Sequence, residues 1–200
     1  MAEENRMDVS IFQKPKKGNY YCGDSYFIQE TENDFICALA DGLGSGEFAK
    51  ESSQVVMDII EENIDATVEH IMTKCNKVLI GKRGVVLGVL KIDFSLERYS
   101  FSSIGNIGVM TISEKYEKKR NIPNAGYLGG LSRPFKVLRD KLVDDMVFIM
   151  FSDGVSSKAL SEKYFLGNDV HQITDTFSAI HGSNEHDDTT LIAMKYRASK

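Results

Sequence analysis

Hydrophobic positions along this chain switch between two periods, and the switches mark its elements. Residues 8–13 and 25–30 alternate apolar and polar side chains, with Val9 and Ile11 in one and Tyr26 and Ile28 in the other, which predicts two strands. Between them, Lys14-Pro15-Lys16-Lys17-Gly18 is a basic turn, and Gly23-Asp24-Ser25 puts an acid at a strand boundary. After the turn Thr31-Glu32-Asn33-Asp34, residues 35–40 form a continuous apolar run, the mark of a buried strand. From Ser45 to Ile64 the period becomes helical, with Phe48, Val55, Val56, Ile59, Ile60 and Ile64 recurring at three- and four-residue spacing. Thr67 opens a second helix whose face is Val68, Ile71, Met72, Cys75, Val78 and Leu79, and Gly81 is a stop.

Beyond Gly81 the strand period returns. Residues 85–92 and 99–104 read as strands, Gly105-Asn106 as a hairpin turn, and 109–112 as the returning strand. Residues 114–120 are charged and predict a solvated hairpin end. Residues 121–134 hold Pro123, Gly126, Gly129, Gly130 and Pro134, a loop of the length found in functional or mobile segments. Strands are expected over 135–138, 146–151 and 189–196, with a weak helical signal at 156–162 and a better one at 169–180. Strands, two helices, many strands, a helix and a last strand is not a βαβ alternation. It predicts an α+β fold of packed antiparallel sheets with helices outside. Neither a linker nor a repeat interrupts the chain, so residues 1–200 are expected to form a single domain.

Composition narrows the function classes. The net charge of −5 argues against binding nucleic acid or an anionic membrane. Cys22, Cys37 and Cys75 lack metal or redox spacing, and an odd count without a disulfide framework fits a reducing compartment. The polar N-terminus and the absence of a long apolar run point to a cytoplasmic protein.

Acids at strand ends carry the chemistry. The run ending in Ala40 meets Asp41-Gly42, and Gly44 and Gly46 follow. The run ending in Phe151-Ser152 meets Asp153-Gly154, and Asp187-Asp188 stands before the last strand. An isolated Asp-Gly is most often a turn. Four aspartate-bearing strand boundaries in one chain instead suggest hard-cation ligands, because Mg²⁺ and Mn²⁺ take carboxylates, backbone carbonyls and water. His70, His171, His181 and His186 read as structural, and no zinc-protease, phosphate-loop or serine-hydrolase motif is present.

Cys22-Gly23-Asp24-Ser25, the Ala40–Gly46 stretch, Ser103-Ile104-Gly105-Asn106, Phe151-Ser152-Asp153-Gly154-Val155 and Asp187-Asp188-Thr189-Thr190 occur in the order of the motifs of the PPM family, the metal-dependent protein serine/threonine phosphatases. The resemblance covers essentially the whole chain. It implies a central antiparallel β-sandwich flanked by α-helices and two Mn²⁺ (or Mg²⁺) ions at one end. By motif, Asp41 bridges both ions, the Gly42 carbonyl and the nearby Asp24 serve the second, and Asp153 and Asp187 hold the first. Asp188 stands where asparagine is common, and the sequence leaves open which of Asp187 and Asp188 touches metal. The implied substrates are phosphorylated protein partners of the stressosome type, carrying anti-sigma-antagonist domains, with a free antagonist as the alternative. A monomer is expected. A phosphoprotein-binding pseudophosphatase and a two-metal nuclease are rival readings, opposed respectively by the intact acids and by the acidic balance. Relatives place an arginine before the first aspartate or two residues after Gly-Asn, where this chain has Asn19-Tyr20-Tyr21 and Gly108. Phosphate grip then falls to Lys16, Lys17, Lys82, Arg83 or the metals.

Overall fold

The structure is a computed structural model that describes residues 5–113, 117–182 and 186–198. Two five-stranded antiparallel sheets pack face to face. One holds β1 (Met7–Lys14), β10 (Thr189–Tyr196), β9 (Val147–Phe151), β6 (Gly108–Ile112) and β7 (Lys118–Arg120), in that spatial order. The other holds β2 (Asp24–Glu30), β3 (Asp34–Gly42), β4 (Val85–Asp93), β5 (Arg98–Ile104) and β8 (Leu138–Lys141).

The strand period explains the layers. On β3, Phe35, Cys37 and Leu39 face the other sheet and meet Phe148, Met150, Ile192 and Met194 in the central core. Ile36, Ala38 and Ala40 face outward beneath α1 (Glu47–Glu61) and α2 (Val68–Val78), which bury Val56, Met57, Ile60, Ile71 and Met72 there. Ile149, Phe151, Leu191 and Ala193 cover the opposite outer face with α3 (Ser157–Ser161) and α4 (Val170–His181). β3 and β9 are thus buried on both faces, which is why residues 35–40 and 147–151 are apolar throughout. Thr67 caps α2 as expected, its hydroxyl accepting the His70 N–H.

Two expectations are corrected. Gly105-Asn106 does not close a hairpin, because β5 and β6 lie in different sheets and the turn carries the chain across the sandwich. The strand expected at 135–138 begins only at Leu138, since Phe135 and Val137 pack against the α1–α2 layer instead of joining a ladder. The long 121–134 segment is tied down at several points: Leu128 and Val85 exchange backbone hydrogen bonds, Asn124 bonds Ser103 and Gly105, and Asn76 of α2 takes the N–H groups of Gly129 and Gly130. Of the charged stretch 114–120, residues 118–120 form the edge strand β7, while 114–116 lie outside the described residues.

Candidate active site

Both sheets contribute acids to one end of the sandwich. Antiparallel pairing places Asp24 directly opposite Asp41 on β2 and β3. Like charges in register destabilise a ladder, so this pairing needs another function to offset it. From the second sheet, Asp153 lies just past β9, and Asp187 and Asp188 just before β10. Because β9 and β10 are antiparallel neighbours, the end of one and the start of the other fall together.

A clamp across the sandwich fixes the cluster. Asp24 is fully buried, and its Oδ2 accepts hydrogen bonds from Ser152 Oγ at 2.8 Å and Thr190 Oγ1 at 2.6 Å, both from the opposite sheet. Its Oδ1 is buried with no hydrogen-bond partner. A half-satisfied buried carboxylate is costly unless a proton or a cation meets the free oxygen. Burial pushes the Asp24 carboxyl up to about 6, against the pull of Thr190 and Ser152 and with help from Asp188 and Asp153. Asp41 goes further, to about 8, first through burial and then through Asp24, Asp153, Asp187 and Asp188. Asp153 is raised by burial and Asp187, while Asn106 Nδ2 donates to its Oδ2 at 2.5 Å.

Asp188 is used differently. Its Oδ1 accepts the Lys16 N–H at 2.8 Å and its Oδ2 the Gly23 N–H at 2.9 Å, so both oxygens hold the segment that leads into Asp24. Behind that segment α1 supplies further support. Lys50 Nζ donates to the Asp24 carbonyl and to Ser25 Oγ, each at 2.9 Å, and Ser53 Oγ donates to the Gly23 carbonyl at 2.7 Å. Helix α1 comes this close because of Gly42: a Cβ there would lie 2.0 Å from the Ala49 carbonyl oxygen.

The donor set fits a hard divalent cation. It consists of carboxylates that repel one another, one buried free carboxylate oxygen, and glycine-flanked backbone at a strand end. Among the described residues no group of three His, Cys, Asp or Glu side chains is already gathered as a metal-binding set. Other nucleophiles are out of play. Burial pushes Cys22 up to about 12, and Cys37 and Cys75 are buried thiols. His171 lies against Asp8 and His181 against the Phe177 ring.

All the aspartates expected from the sequence meet here, but several partners were not expected. Ser152 and Thr190 flank the acids as polar residues at the edges of apolar runs, a signal that could have found them. Lys50 and Ser53 look like ordinary helix-surface positions, and Asn106 was hidden by its reading as a turn residue. Two of the cations considered for phosphate have other partners: Lys82 pairs with Glu51 at 3.5 Å, and Arg83 stacks over Phe48 and reaches the Leu43 carbonyl.

A two-sheet sandwich with a layer of helices on each face and an acidic cluster where strand ends from both sheets meet is the architecture of the metal-dependent serine/threonine phosphatases. Comparison supports that class directly. The chain is 31% identical over 192 residues to phosphoserine phosphatase RsbX of Bacillus subtilis (strain 168), covering 96% of each protein, and it belongs to the RsbX-containing PPM family. Its fold matches RsbX in complex with magnesium at a TM-score of 0.88 and 31% identity, over 97% of this chain and 98% of that one. The catalytic domain of the phosphatase PstP, in complex with two manganese ions, shares the fold alone: TM-score 0.77 at 14% identity, over 96% and 98% of the two chains. No family model matches the chain. Among the described residues no helix is long and apolar enough to cross a membrane.

Proposed function

We propose that this phosphatase removes phosphate from phosphoserine or phosphothreonine of protein partners in a bacterial stress-response pathway, with two Mn²⁺ or Mg²⁺ ions held by Asp41, the Gly42 carbonyl, Asp153 and Asp187 and with Asp24 beside them. The observation that carries the reading is the Asp24–Asp41 pair. A carboxylate with one buried unpartnered oxygen faces, in register, one pushed up to about 8. When bound, the ions supply Lewis acidity, lowering the pKa of a water and neutralising phosphoryl charge. The chain's own residues fix the geometry. Ser152 and Thr190 orient Asp24, Asn106 orients Asp153, and Asp188 with Lys50 and Ser53 holds the 16–25 segment in place. Preorganised ligands of this kind need no rearrangement as the reaction proceeds.

The relation to RsbX supports stressosome-type phosphoproteins with anti-sigma-antagonist domains as substrates, one structural neighbour being described in work on the bacterial stressosome. Cytoplasmic action as a monomer is part of the same proposal. The test is hydrolysis of p-nitrophenyl phosphate and a phosphoserine peptide with Mn²⁺, after EDTA, and after metal is restored. Activity should vanish with EDTA and return with metal. Full turnover of the peptide in a metal-stripped sample would overturn the assignment.

A further inference from the structure

Beside Asp153 lies a cleft of about 270 Å³ that the phosphate chemistry does not account for. It is lined by the 106–108 turn, Arg120 to Pro123, and the 151–157 segment. Of the residues lining it, Arg120 is the one cation and Asp153 the one anion.

Arg120 is built into this cleft. Its guanidinium lies over the ring of Phe151, 5.1 Å from the centroid, and its Nη1 is 3.4 Å from Ser157 Oγ. Phe151 is itself 1% exposed, so the platform is rigid. Neighbouring Gly108 leaves the ring free for stacking. It pairs with Phe151 in the ladder, and a Cβ there would lie 2.4 Å from Phe151 Cζ. The next strand then delivers the cation, Arg120 standing opposite Met110. Among the described residues no carboxylate pairs with Arg120, although its side chain is exposed. A stacked guanidinium with its nitrogens presented to solvent is preorganised for a bidentate oxyanion.

We propose that this cleft is a substrate subsite: Arg120 binds the carboxylate of an acidic residue next to the phosphoserine, and so sets sequence preference. The proposal rests on the phosphatase reading above. Asp153, one of the acids assigned to the reacting end, and Arg120 line the same cleft, so a residue flanking a phosphoserine bound at Asp153 can reach Arg120. The volume suits a single side chain.

The test compares phosphoserine peptides that differ only at the flanking residues, Glu against Gln against Lys, with p-nitrophenyl phosphate as a substrate lacking flanks. Wild-type enzyme with Mn²⁺ should prefer the Glu peptide. Arg120→Gln should lower kcat/KM for the Glu peptide about fivefold, the scale of an exposed ion pair, mainly through KM. It should leave the Gln peptide and p-nitrophenyl phosphate unchanged. Arg120→Glu should reverse the preference toward the Lys peptide, an outcome that a merely structural role for Arg120 cannot produce. Equal loss on all substrates, p-nitrophenyl phosphate included, would show that Arg120 grips the phosphate itself and would overturn the subsite. So would unchanged flank preference in both variants. A wild-type enzyme inactive on every substrate would overturn the phosphatase reading as well, and is distinguishable from these results.

Discussion

Asp41 and Asp188 approach the same strand ends, yet their oxygens serve different purposes. Asp41 is surrounded by acids and raised to about 8, so its charge is the one a cation would relieve most. Asp188 gives both oxygens to backbone N–H groups of Lys16 and Gly23. The consequences of replacing each by the isosteric amide therefore diverge. Asp41→Asn should reduce phosphoserine turnover on the order of 100-fold or more, as expected when charge at the reacting centre is lost. Asp188→Asn keeps one acceptor oxygen but turns an NH₂ toward the other N–H, so one loop bond is lost. A drop of about tenfold is expected, the scale found for residues that orient metal ligands. Steady-state kinetics at saturating Mn²⁺ decide the matter. A dead Asp188→Asn beside an active Asp187→Asn would transfer the direct ligand role to Asp188.

The element whose fastening is least legible in the sequence is the 121–134 segment. Its glycines and prolines suggest mobility, yet the buried side chain of Asn76 fastens it to α2. Asn76 Oδ1 accepts from Gly129 and Gly130 at 3.0 and 2.9 Å, and Nδ2 donates to the Leu131 carbonyl at 2.7 Å. Asn76→Ala strands those three backbone groups. At roughly 1–3 kcal/mol for an unsatisfied buried group, and with some of them regaining water, a loss of about 2 kcal/mol is expected. Urea melts should show a lower midpoint with unchanged slope, and limited proteolysis should cut first near 125–131. A midpoint equal to wild type would mean that the bridge to Leu128 and the other ties suffice. Such contacts are illegible in sequence because they join residues more than fifty positions apart with no periodic trace. The strands were legible for the opposite reason. On β3 and β9 burial on both faces writes unbroken apolar runs, 35–40 and 147–151, and β10 spans the 189–196 expected. Gly105-Asn106 marks the middle case: the turn was legible, but a local signal cannot say which sheet the next strand joins. The aspartates stood out because an acid ending an apolar run violates the local pattern, whereas Ser152, Thr190 and Lys50 violate none.

For the molecule as a whole, the acids at the end of the sandwich are a destabilising element that metal would convert into a stabilising one on the reading proposed above. In chelator-treated protein, Asp24 and Asp41 have folded-state values of about 6 and about 8, above the ordinary 3.8 of an unfolded aspartate. Between these limits the folded chain binds more protons than the unfolded one, so stability falls as pH rises from about 4 to about 8. Below pH 4 both states are protonated and the penalty is absent. Metal-free protein should therefore melt at a lower temperature at pH 7.5 than at pH 5. Added Mn²⁺ should narrow that gap by stabilising the protein at pH 7.5. At a free concentration of one hundred times Kd it contributes about 2.7 kcal/mol, or a rise of about 5–10 °C for a chain of this size. The rise should shrink near pH 5, where protons compete for the same oxygens. Asp41→Asn separates the two effects: without the most strongly raised acid, the metal-free protein should be more stable at pH 7.5 than wild type, while its response to Mn²⁺ should be much smaller. Thermal melts of both proteins at the two pH values, with EDTA and with Mn²⁺, provide the measurement. A wild type whose melting temperature at pH 7.5 is the same with Mn²⁺ as with EDTA would show that these strand-end aspartates do not form a metal site.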